Sequence, residues 1–294
     1  MSRGTIPAIE SGMKEASERS AMKELGRRSY GGILAGGGAL VLAALITTNL
    51  WLMNRTLARE RQTSLEHLFW VVCQPGFSAN ERAEAFLKLL VAENREWRSA
   101  DLSGLDLPGI NLSQAPLDNT DFRRSVFTRA DFSGAFMGNA YLQLCDFSEA
   151  NLEACDLVGA DLYRANLVGA TLNRAKLAGG RLQECDATGA RFVAADISGG
   201  DLVMADLSGA DLSGANLQDA NLEGAKLRGA NLSLSRFAGA RLSDADFTNS
   251  SWWRARGFDA ASIAVLRDQF EPTEDAPQEL RDDFAEWLTD IGAN

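Results

Sequence analysis

Residues 205–229 read ADLSGADLSGANLQDANLEGAKLRG, with Leu207, Leu212, Leu217, Leu222 and Leu227 recurring at every fifth residue. Followed outward, the series runs without a slip from Leu102 to Trp252. It comprises 31 central positions, held by twenty Leu, seven Phe and one each of Met137, Ala187, Ile197 and Trp252. A second column two residues earlier in each unit holds twenty Ala, the rest being mostly Cys, Ser and Gly. Between the two columns, nineteen of 31 residues are Asp or Asn, which sets a short polar side chain between two inward ones.

A period of five is the informative number. Helices bury residues three and four apart and strands bury alternate residues, so an unbroken five fits neither. The remaining solution is a solenoid, in which each unit forms one side of a coil and stacks on the coil below. Leu, Phe and the small column then point inward, and the other three positions of each unit point outward. Gly recurs two residues after the central position, as in Gly104, Gly159 and Gly209, where a corner calls for positive φ.

Tandem A(D/N)LXX units over just over half the chain resemble the pentapeptide-repeat family. That resemblance implies an all-β solenoid, a right-handed quadrilateral β-helix with four units per coil. The 31 units then make about eight coils, and stacking at the ~4.8 Å inter-strand spacing gives a rod roughly 37 Å long. With four units per coil, residues twenty apart share one face. Ala187 falls between Leu167 and Leu207, and Phe192 on the next side is placed to compensate its missing volume.

The flanks divide the chain further. Residues 1–29 read as a polar tail. The run Gly31–Met53 has no charged residue, and its 23 residues suffice for a transmembrane helix, assigned to residues 30–53. Residues 54–99 read as a helical linker and N-terminal cap, with Ser78 and Glu81 at capping-box spacing before Phe86 and Leu90. The β-helix occupies 100–255. Residues 256–294 read as a helical cap in which Asp259 starts one helix through Ile263, Leu266 and Phe270, and a second runs from Glu279 to Ile291. Trp252 closes the central column, the phase fails at Gly257, and Trp287 on the last helix is a candidate for the cap or for a homodimer contact.

Five Lys or Arg precede the apolar run between residues 10 and 29, against three between 54 and 73. The positive-inside rule then puts the tail in the cytoplasm and the repeats outside it, in a single-pass protein of a bacterial inner membrane.

Charge bounds the function. Residues 100–255 carry 13 basic and 20 acidic groups, and residues 256–294 carry 3 and 10. That balance argues against direct nucleic-acid binding, which needs clustered cations. Cys145, Cys155 and Cys185 fall in the small-residue column, as core side chains rather than metal ligands. With one histidine, His67, and no P-loop or metal-ligand spacing, no catalytic, cofactor or metal site is expected. The outward Asp106, Asp146, Asp186, Asp206 and Asp246 form a ladder broken by Asn166 and Lys226. It reads either as an acidic nucleic-acid mimic inhibiting a DNA-binding enzyme such as gyrase, as in family members that resemble DNA, or as side chains bonded to nearby backbone that shape the coil. Another face collects Tyr141, Leu144, Tyr163, Val203 and Met204 among Arg124, Arg164 and Arg181, the composition of an interface. The expected function is a membrane-anchored, non-catalytic scaffold whose rod binds a protein partner the sequence does not name.

Overall fold

The computed structural model describes residues 38–73, 76–92 and 97–292 of the 294. The chain divides into two units, residues 1–64 and 65–294. The polar tail and residues 30–37 of the expected transmembrane helix lie outside the described residues.

In the first unit, helix α1 (Gly38–Cys73) begins and continues into the second. The helix is continuous across the change in composition after Met53. Asn54, Arg55 and Thr56 include no helix breaker, and the Thr56 hydroxyl bonds back to the Leu52 and Met53 carbonyls at 3.1 and 2.9 Å. Among the described residues no helix is long and apolar enough to cross a membrane.

The second unit is built on the repeats. Its sides are not extended strands. Each is joined to the next coil by a parallel bridge at a single residue, Asp101 to Asp121 to Tyr141 to Asp161 and onward, always twenty residues apart. This offset confirms four units per coil. Within each unit the chain turns back on itself, as where Ala190 N–H donates to the Ala187 carbonyl at 3.0 Å, and between coils Leu162 N–H donates to the Arg181 carbonyl at 2.7 Å. The turn residue two after each central position has φ between +52° and +74° at every unit from Ser99 to Asn249. Glycine fills many of these corners, but so do Arg, Glu, Leu and Met. Stacked hydrogen bonds on both sides impose a conformation costing these residues about 1–2 kcal/mol each.

The core is the two inward columns. Every central side chain from Leu102 to Trp252 is buried except Leu242 in the last coil, which is half-buried. Ala187 and Phe192 are both fully buried. At ~1.5–3 kcal/mol per buried large side chain, this repeated burial is the main stabilising term. Phe122, Phe127, Phe132 and Phe147 pack ring to ring with centroids 5.0–5.5 Å apart in the second and third coils. Cys145, Cys155 and Cys185 are buried as free thiols, as the phase of the repeat requires.

Both ends are capped. Helix α2 (Ala79–Ala92) starts at the expected capping box: Ser78 N–H donates to Glu81 Oε2 at 2.9 Å and Glu81 N–H to Ser78 Oγ at 3.3 Å. Its buried stripe of Arg82, Phe86 and Leu89 covers the first coil, with Phe86 4.5 Å from the Trp97 ring. At the other end a 3-10 turn at Trp252–Arg254 interrupts the repeat, and a last bridge in register pairs Arg256 with Arg236. Gly257 follows at φ +88°, where a Cβ would lie 2.7 Å from the Ala238 nitrogen, so only glycine fits. Helix α3 (Ala260–Gln269) is capped by Asp259, which accepts from Ser262 N–H at 2.7 Å, and α4 (Gln278–Gly292) completes the lid. Leu266 is buried and Phe270 half-buried as expected, but Ile263 is exposed, because α3 rests only one narrow stripe on the last coil.

Candidate functional site

The variable residues of the rod face outward from a regular frame, and they are what distinguishes one side of it from another. In most units the Asp or Asn between the inward columns accepts a hydrogen bond from the backbone N–H two residues on, as at Ser103 to Asp101 (3.1 Å), Ser148 to Asp146 (2.9 Å) and Ser208 to Asp206 (3.1 Å). These are Asx turns that brace the corner. Many of the same carboxylates also accept from a neighbouring coil: from the following one, Asn166 Nδ2 on Asp146 at 3.0 Å and Lys226 Nζ on Asp206 at 3.0 Å, and from the preceding one, the Arg228 guanidinium on Asp246. Asp186 accepts from Thr188 N–H and Oγ1 at 3.0 and 2.7 Å. Val126 interrupts the ladder as well. Of the two readings of this column, coil geometry is the one these bonds describe.

Tyr141, Leu144, Tyr163, Val203 and Met204 do lie on one side of the rod. The corner column runs Arg124, Leu144, Arg164, Glu184, Met204, each linked to the next coil through the N–H of the earlier residue. The face is not one apolar patch. Arg164 Nε donates to Glu184 at 2.7 Å, Tyr163 Oη bonds the same carboxylate at 3.1 Å, and the Arg164 guanidinium sits 5.3 Å from the Tyr163 ring. Hydrogen bonding from Arg164 holds the Glu184 carboxyl below the usual range. This polar cluster separates exposed Tyr141 and Leu144 from half-buried Val203 and exposed Met204. A linear sequence stack shows the shared side but not the ion pair that divides it.

The two tryptophans serve the cap. Buried Trp252 donates from Nε1 to the Phe270 carbonyl at 3.0 Å, and half-buried Trp287 packs edge-on against it at 5.3 Å and stacks on Phe284 at 5.6 Å. Trp253 Nε1 and Arg254 Nε both donate to Asp283, at 2.6 and 2.7 Å, locking α4 to the last coil. Hydrogen bonding from Arg254 holds the Asp283 carboxyl below the usual range.

Sequence reasoning missed Arg82. It is buried, and it donates from Nε to the Val72 carbonyl at 2.6 Å, from Nη1 to the Ser103 carbonyl and from Nη2 to the Asp101 carbonyl at 3.3 Å. A signal was present, since Arg82 lies four residues before Phe86 and seven before Leu89, on the stripe that must be buried. Among the described residues no group of His, Cys, Asp or Glu is arranged to hold a metal ion.

These features define a coiled parallel β-solenoid closed by helical caps. A family model described as pentapeptide repeats matches residues 98–143 and 145–251 in overlapping copies, just over half of the chain. The protein belongs to the pentapeptide-repeat family, whose fold is the right-handed β-helix and whose members are generally structural or interaction proteins. Among solved structures, HetL, a pentapeptide repeat protein involved in heterocyst differentiation regulation from the cyanobacterium Nostoc, is 25% identical, with 57% of this chain and 95% of that one covered and a TM-score of 0.27. QnrB1, a plasmid-mediated fluoroquinolone resistance protein, is 21% identical over 57% of this chain and 96% of its own, at a TM-score of 0.37. Rfr23 from the cyanobacterium Cyanothece is 24% identical over 54% and 88%, at a TM-score of 0.22. No curated protein matches the chain.

Proposed function

We propose that the protein is a membrane-anchored, non-catalytic scaffold whose rod presents its Tyr141–Met204 side to a partner protein. The observation that carries the anchor is the bareness of α1 at residues 50–53. Leu50, Trp51, Leu52 and Met53 are 41–58% exposed. Four consecutive helical residues point in four directions, so every side of the helix there is open among the described residues. The same residues end the uncharged run from Gly31. The Arg55 guanidinium lies 5.1 Å from the Trp51 ring, the aromatic and cationic pairing suited to a headgroup boundary. Lipid is the solvent that makes such a helix stable.

The scaffold reading is favoured over nucleic-acid mimicry of a gyrase-like enzyme. Mimicry needs a row of available carboxylates, and Asp146, Asp206 and Asp246 are engaged by their own coil or by Asn166, Lys226 and Arg228. In a bacterial inner membrane, the excess of cations before the apolar run orients the repeats away from the cytoplasm. The test is extraction of membranes carrying the full chain. The protein resists alkaline carbonate and is released by detergent, and a tag after Asn294 is digested by protease added to spheroplasts. Release by carbonate alone refutes the anchor, and a protected tag reverses the orientation.

A further inference from the structure

Arg82, Arg123 and Arg124 converge on a cleft of about 680 Å³ where α2 meets the first three coils. This is a concentration of cations at the edge of a repeat body, residues 100–255, that carries 13 basic against 20 acidic groups. Two of the three are committed. Arg82 is buried on backbone carbonyls with Asp101 at 3.9 Å, and Arg123 is paired with Asp121 at 2.6 Å. Arg124 is exposed and makes no ion pair among the described residues. The cleft thus carries three guanidinium groups against two carboxylates, with its one uncompensated charge at the rim.

The apolar lining is adjacent. Leu144 is the next residue in the corner column after Arg124 and is 47% exposed, and Tyr141 on the same coil is 50% exposed. Arg124 and Leu144 hold φ of +63° and +60°. A leucine at such a corner is disfavoured twice, by its backbone and by its exposure, where glycine serves at many equivalent positions. Gln143 also lines the cleft, and its buried side-chain oxygen has no hydrogen-bond partner among the described residues. Rotation of that side chain offers the oxygen to an incoming N–H.

We propose that this cleft receives a carboxylate-bearing, partly apolar peptide segment of a partner protein. The carboxylate pairs with Arg124, a backbone N–H with Gln143, and an apolar side chain rests on Leu144 and Tyr141. A single excess charge beside apolar surface and an unmatched acceptor suits a peptide better than a phosphate, which supplies neither an N–H donor nor apolar contact. The inference rests on the scaffold reading and gives its partner a chemistry.

The experiment pans a random decapeptide phage library on the full chain in nanodiscs, then measures the enriched peptides by fluorescence anisotropy. The expected peptides place Asp or Glu beside Leu, Ile or Phe. Arg124→Glu and Leu144→Asp each weaken their binding by about tenfold, and replacing the peptide acid by Lys restores binding to Arg124→Glu. Both residues are exposed, so the variants should melt like the parent by circular dichroism. Peptides without acids, equal binding to parent and variants, or binding of anionic-lipid vesicles through Arg124 with no peptide enriched would each overturn the proposal. If Arg124→Glu still cross-links in membranes to the same partner as the parent, the scaffold reading stands and the cleft assignment alone fails.

Discussion

Replacing Arg82 by Met tests how the open end of the rod is closed. The side chain is 6% exposed, and Met keeps its length and apolar stem while removing every donor. Three carbonyl oxygens, of Val72, Asp101 and Ser103, lose a charged partner. Hydrogen bonds to charged groups contribute about 1.5–3 kcal/mol each, but the Asp101 and Ser103 oxygens lie near the rim and regain water. A net loss of about 3 kcal/mol follows. In a stacked repeat the damage stays with nearest neighbours, so it should appear in α2 and the first coil and fade beyond the second. Hydrogen exchange by mass spectrometry then shows about a hundredfold faster exchange over residues 79–105. Exchange over residues 160–230 stays unchanged. Arg123→Met is the control, because Arg123 is exposed and its ion pair contributes about 1 kcal/mol or less. Equal exchange in the two variants would refute the capping role of Arg82.

Other expectations concern the far end and the core. Gly257→Ala forces a left-handed alanine against the Ala238 nitrogen at 2.7 Å and should cost about 2–3 kcal/mol, read as a loss of roughly 4–10 °C in melting temperature. Burial pushes the Cys145 and Cys185 thiols up to about 12. They therefore stay protonated in the fold and ionise above about pH 8.5 when it opens. Stability should be level below that pH and fall as pH rises toward 12, and iodoacetamide at pH 8 should leave both unmodified until urea is added. Asp283 is lowered by Arg254, so its contribution is present above about pH 4 and is lost as pH falls through its depressed value. An acid titration followed by tryptophan fluorescence should show this step, and Asp283→Asn should lack it. Trp287→Ala should destabilise the same lid through the lost contacts with Trp252 and Phe284, without requiring a change in molecular mass; a halved mass by light scattering would make it a dimer contact.

The core was legible because burial here is strictly periodic. A count of fives places Leu162, Ala190 and Cys155 inside with no tertiary knowledge. The corners were legible only in part. Glycine advertises a positive φ, but Arg164, Glu184 and Met204 adopt it with no local preference, since the coils above and below dictate it. The outward face was partly legible for a related reason. Twenty-residue stacking sets Tyr141 and Met204 on one side, while the Arg164–Glu184–Tyr163 cluster between them depends on side-chain reach. Arg82 was hidden by its charge, which reads as solvated unless its place on the buried stripe is given more weight than its type.

The claim on which the rest depends is that function sits on one side of the rod, in the departures from the repeat. A photo-reactive phenylalanine analogue placed at Tyr141 or Met204, and separately at exposed Arg191 two sides round the coil, measures this directly in intact membranes. Cross-linking of one discrete partner from positions 141 and 204, and none from 191, is the expected result. Equal cross-linking from all three, or cross-linking from 191 alone, would contradict it.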